Sequence, residues 1–142
     1  MAIYLNHTIV PAHDKEKAAK FLSGIMGLEY DGLFGHFAPV KVNDSLALDF
    51  DNREDFERHH YAFLVTDEDF DAILGRVKQA GLKYGSAPNA QDDMEINHRH
   101  QGRGFYFRDE DNGHSWEFIT HTYVKEEMTG ISGRPQAAPA GR

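Results

Sequence analysis

Two amphipathic helices, each set among short strand-like runs, constrain this chain more than any other feature. Ala18, Phe21, Leu22, Ile25 and Met26 fall at i, i+3, i+4, i+7 and i+8, one stripe of a helix. Asp14 stands where an N-cap belongs, and Gly27 where a helix stops in the left-handed conformation. Phe70, Ile73, Leu74 and Val77 repeat the stripe. Thr66 is its cap, Asp67, Glu68 and Asp69 suit the positive end of the helix dipole, and Gly81 is its stop. Strand-like runs at 3–10 and 59–65 precede the two helices. Runs at 28–34, 36–42 and 45–50 follow the first, with Asn43-Asp44 as a turn. Runs at 82–86, 104–108 and 115–122 follow the second, with Asn112-Gly113 as a turn.

Each half therefore predicts βαβββ. The caps Asp14 and Thr66 lie 52 residues apart and the stops Gly27 and Gly81 lie 54 apart, so the pattern repeats although the letters do not. The expected fold class is α+β: two tandem βαβββ modules, about 1–52 and 57–123, in one domain over 1–128. Their curved mixed sheet has the helices outside and a concave face inside. A ferredoxin-like sandwich is the alternative with the same alternation of elements. The polar connection at 88–101 suggests a loop over a pocket, and the Gly/Ala/Pro-rich stretch at 129–142 a flexible tail.

Composition narrows the chemistry. The 142 residues include nine histidines and no cysteine, with a net charge of −8. The acidic balance argues against nucleic acid as a partner. The missing cysteine excludes thiolate metal sites and a cysteine nucleophile. With no signal-like start and no long apolar run, a cytoplasmic protein that does not enter the membrane is expected.

His7 and His60 lie in the first strand of each half, 53 residues apart, at equivalent points of the repeat. Alternation puts each on an apolar face, with Leu5 and Ile9 in one case and Ala62 and Leu64 in the other. Glu117, inside Ser115-Trp116-Glu117-Phe118-Ile119, is a carboxylate in an apolar strand. Buried without a partner, it would be costly. Two imidazoles and one carboxylate form a metal set with open coordination positions, suited to Fe(II), Mn(II), Ni(II) or Zn(II). Asp49 is the pseudo-symmetric counterpart of Glu117, either a fourth ligand, a hydrogen-bond acceptor behind the ligands or a strand end. Among the other histidines, His36, His98 and His100 are pocket candidates. His13, His59, His114 and His121 need only surface or packing roles.

Three stretches carry a resemblance. They are Leu5-Asn6-His7, His60-Tyr61-Ala62-Phe63, and Phe105-Tyr106-Phe107-Arg108-Asp109 continuing through Gly113-His114-Ser115-Trp116-Glu117. Over about residues 3–123 the chain resembles the vicinal oxygen chelate superfamily, which includes glyoxalase I, bleomycin-resistance proteins, fosfomycin-resistance thiol transferases and type I extradiol dioxygenases. Its ending resembles the family's aromatic–Asp–Pro–Asp–Gly–His…Glu, with Glu110 in place of the proline and Asn112 as an extra residue. The resemblance implies a glyoxalase-like fold around a metal-binding cup, a divalent metal on His7, His60 and Glu117, and a homodimer. Glu57-Arg58-His59-His60 and the spacing of His98, Tyr106 and Glu117 resemble the extradiol branch. That branch implies Fe(II), a small catechol-like substrate, and substrate-orienting and proton-handling roles for His98 and Tyr106. The alternatives are a metal-free drug or natural-product binder, or a glyoxalase or thiol-transferase enzyme.

Overall fold

The computed structural model describes residues 1–125; the expected tail at 129–142 lies outside the described residues. The chain divides into two compact units, Met1–Glu57 and the part from Arg58 onward.

In the first unit β1 (His7–Ala12) leads into α1 (Lys15–Met26), then β2 (Ala38–Lys41) and β3 (Ala47–Asn52). Asp14 caps α1 by accepting the Lys17 N–H at 3.1 Å. Gly27 ends it at φ 74°, a conformation glycine adopts without a Cβ clash. Ala18, Ala19, Leu22 and Ile25 are buried with Val10, Ala12, Val40, Leu48 and Phe50. β3 lies between β1 and β2, parallel to β1 and antiparallel to β2. The Asn43 side chain closes the expected turn by accepting the Ser45 and Leu46 N–H groups.

The second unit repeats this order with β4 (His60–Leu64), α2 (Asp67–Gln79), β5 (Gly104–Arg108) and β6 (Ser115–Ile119). Thr66 caps α2 by accepting the Asp69 N–H at 3.1 Å, and Gly81 follows its end at φ 72°. β6 lies between β4, its parallel partner, and β5, its antiparallel partner. One face of this sheet is aromatic. Tyr61 stacks on Trp116 at 4.8 Å, Phe63 and Phe105 stack on Phe118 at 5.5 Å, and Phe70 of α2 meets Phe105 edge-on at 5.3 Å. That packing leaves the opposite face, carrying His60, Tyr106 and Glu117, for other chemistry.

The expected fourth strand of each module does not form, so the modules are βαββ and their sheets two three-stranded ones. The 28–34 run makes one bridge, Phe34 to Phe37, and bends at Gly32, whose φ is 96°. The 82–86 run makes one bridge, Gly85 to Tyr106, before Ser86 turns away onto Asp93. A strand persists only where a neighbour continues the ladder, and neither run has more than one such contact. Among the described residues no helix is long and apolar enough to cross a membrane.

Candidate metal centre

Register brings His60 and Glu117 together. Ala62 of β4 stands opposite Glu117 of β6, and His60 lies two residues earlier on the same face. His60 Nε2 donates to Glu117 Oε1 at 2.7 Å. Glu117 is only 1% exposed, whereas the His60 side chain stays partly open to solvent. Tyr106 stands opposite Glu117 on the antiparallel neighbour β5, and its ring meets that of His60 edge-on at 5.8 Å.

Burial by itself would raise the Glu117 carboxyl. Hydrogen bonds from His60, Tyr106 and Tyr123 outweigh it and hold the group below its ordinary value, so Glu117 is a carboxylate at neutral pH. Tyr106 moves the other way. Burial, then the negative charge of Glu117, pushes its hydroxyl far above the usual phenol range, and Tyr106 stays protonated. Two side chains join from outside the strands. The Tyr123 hydroxyl lies 3.1 and 3.0 Å from the two Glu117 oxygens, and Arg99 sits near enough to Tyr106 to oppose its upward shift. Arg99, Tyr106, Glu117 and Tyr123, with Asn97, His100, Ile119 and His121, line a small recess that opens to solvent.

The remaining sequence candidates lie as follows. In the first unit His7 opens β1 opposite Ala47, and Asp49 lies two residues on, opposite Ile9. In the second His60 opens β4 opposite Ser115, with Glu117 two residues on. Asp49 therefore matches Glu117 position for position. His7 is exposed and its Nδ1–H donates to Asn6 Oδ1 at 2.7 Å, which leaves Nε2 as the lone-pair nitrogen. His36 is an exposed turn residue 3.3 Å from Asp51 Oδ1. His98 is exposed on the 88–101 loop, and the loop histidine lining the recess is His100. His114, assigned no more than surface or packing, is fully buried and accepts the His59 N–H at 3.0 Å. Tyr123 escaped sequence reading because it follows β6 with no periodic signal around it.

A family model described as the glyoxalase/bleomycin resistance protein/dioxygenase superfamily matches residues 4–118. The chain belongs to this superfamily. A solved structure titled Oxidase ChaP-H2 is 47% identical, with a TM-score of 0.81, over 87% of this chain and 97% of that one. Glutathione transferase FosA of Serratia marcescens is 28% identical over 80% of this chain and 77% of its own length. A variant of the fosfomycin resistance protein FosX of Listeria monocytogenes is 26% identical with a TM-score of 0.62, covering 86% of this chain and 93% of that one. It was solved with Mn(II) and 1S,2S-dihydroxypropylphosphonic acid.

Residues of the present superfamily member fit a divalent ion. His60 Nε2 and Glu117 Oε1 are 2.7 Å apart, near the separation of about 3 Å between adjacent ligand atoms when metal–ligand bonds are 2.0–2.2 Å. The carboxylate is ionised, and Tyr106 and Tyr123 give it the outer hydrogen bonds that orient metal ligands. Among the described residues no three His, Asp or Glu side chains are grouped so that they could hold a metal ion.

Proposed function

We propose that the chain is a divalent-metal-dependent oxidase performing dioxygenase-type chemistry on a small, catechol-like aromatic substrate. The observation that carries this reading is the buried, ionised Glu117 sharing one strand face with His60. The 47% identity to a structure titled an oxidase favours oxidative chemistry over thiol transfer, for which the relative is 28% identical.

In this reading His60 and Glu117 hold the ion and His7 is the third ligand, its Nε2 prepared by the Nδ1–H bond to Asn6. Fe(II) is the first choice. When bound, the ion supplies Lewis acidity toward neighbouring substrate oxygens and a redox partner for dioxygen. The chain's own contributions are electrostatic and positional. Glu117 holds a negative charge, and Tyr106 keeps its proton and donates it in a hydrogen bond to Glu117. The aromatic packing behind β6 keeps this sheet face rigid.

His7 is assigned to the site of a second copy, in a homodimer. Two features support this. β1 and β4 are edge strands of their sheets. Ile3, Tyr4, Leu5 and Ile9 in the first unit, and Leu64 in the second, expose large apolar surfaces that a partner would cover.

The test is metal loading after anaerobic purification, with Fe(II), Mn(II), Ni(II) and Zn(II) in turn. One ion per chain and a thermal shift are expected, both lost in His60→Ala and Glu117→Ala. Wild-type protein that takes up none of the four ions would sink the reading. With Fe(II) bound, oxygen consumption across a catechol panel tests the reaction. An inert panel together with thiol-dependent epoxide opening would reassign the protein to the transferases.

A further inference from the structure

His100 lines the recess, and Tyr123 reaches Glu117 from beyond the strands. Tyr123 follows β6 outside any strand or helix, yet its hydroxyl stands astride both oxygens of Glu117 at 3.1 and 3.0 Å. Its ring lies 4.5 Å from that of His100. The neighbouring Val124 donates its N–H to His100 Nδ1 at 2.9 Å. His100 is buried and sits at φ 57°, followed by Gln101 at φ 64°. Both lie in the left-handed region, where histidine is among the non-glycine residues more often found, so the turn is compatible with a histidine at 100.

We propose that His100 and Tyr123 form a latch that positions Glu117 for metal binding. His100 pins the backbone at Val124 and the ring of Tyr123. Tyr123, so held, keeps the buried carboxylate from rotating about its last bond. A carboxylate fixed in one rotation meets an ion without first being ordered, which is how outer hydrogen-bond partners raise metal affinity. Both latch residues act through Glu117. The inference rests on the metal reading proposed above.

The experiment is Mn(II) titration of metal-free protein, followed by the spin-resonance signal of free Mn(II). It is paired with hydrogen exchange of the Val124 amide in the absence of metal. Tyr123→Phe and His100→Ala are each expected to weaken Mn(II) binding by about tenfold or more. The double variant should be no worse than the weaker single, because both remove one contact chain. His100→Asn, whose amide oxygen can accept the Val124 N–H and which tolerates left-handed backbone, should recover most of the loss. Val124 exchange should be slow in wild type, Tyr123→Phe and His100→Asn, and fast in His100→Ala. Wild-type uptake that Tyr123→Phe leaves unchanged, additive losses in the double variant, or equal Val124 exchange in wild type and His100→Ala would each overturn the latch alone. Wild-type protein that takes up no Mn(II) overturns the metal reading and the latch's purpose together.

Discussion

His7 and His60 occupy the same place in their units but keep different company. His60 gives its Nε2–H to Glu117, while His7 gives its Nδ1–H to Asn6. The Asp49 position matches that of Glu117, and its unit contains no buried tyrosine opposite it: Pro39 of β2 stands where Tyr106 stands on β5. Glu117→Gln preserves shape and removes the charge. It should abolish Mn(II) uptake while the thermal midpoint stays within about 4 °C of wild type, the scale of a 1 kcal/mol change or less. Asp49→Asn should leave uptake unchanged within about twofold, because Asp49 has Pro39 rather than a tyrosine opposite it and lacks the hydrogen bonds that orient Glu117. Loss of uptake in Asp49→Asn, read by the same titration, would make Asp49 a ligand. At this scale the sequence marked Glu117 as a carboxylate inside an apolar strand, and the structure buries it among hydrogen-bond donors. The sequence passed over Tyr123, because nothing local marks a residue whose partner is reached through the fold.

The helices were legible because capping and periodicity are local: Asp14, Thr66 and Gly27 act within a turn of where they stand. The 82–86 run was not, because its fate depends on what the following loop does. Gly85 exchanges two hydrogen bonds with Tyr106, at 2.8 and 2.9 Å, while Ala90 passes so close that a Cβ on residue 85 would lie 1.8 Å from its carbonyl oxygen. That oxygen is backbone and cannot swing aside. Gly85→Ala should therefore cost about 1–3 kcal/mol, measured by urea unfolding; a neutral result would mean the loop moves freely. The same loop is closed by Asp93, which accepts from the Ser86 hydroxyl at 2.6 Å and from the Ser86 and Glu95 N–H groups at 3.0 Å. The loss of some surrounding water would raise this carboxyl, but those bonds prevail and hold it below its ordinary value. Its folded pKa is thus lower than its unfolded pKa of about 3.9. The stabilisation is present above that pH and is lost as pH falls through the lower folded value. Asp93→Asn should lower the thermal midpoint at pH 7, and the gap to wild type should close as the pH is taken from about 5 toward 3. A gap that holds constant over that range would show that the charge is not what closes the loop.

For the whole molecule, the decisive prediction concerns how many chains build one site. His7→Ala and Glu117→Ala should each lose metal uptake. Co-refolded in equal amounts, they should recover about a quarter of the wild-type sites, because half of the dimers are mixed and each mixed dimer keeps one intact set. No recovery at all would put the three ligands in one chain. The sequence by itself determined the capped helices, the repeat, and the alternation that sends His60 one way and Tyr61 the other. These are properties of neighbouring residues and their rotation along a helix or strand. Only the tertiary structure decided that Ala62 pairs with Glu117, that Tyr106 faces it from β5, that His100 rather than His98 lines the recess, and that the 28–34 and 82–86 runs stay single bridges. Each of those outcomes depends on which distant segment supplies the hydrogen-bond partner, and pairing between segments far apart in the chain leaves no periodic trace in either one.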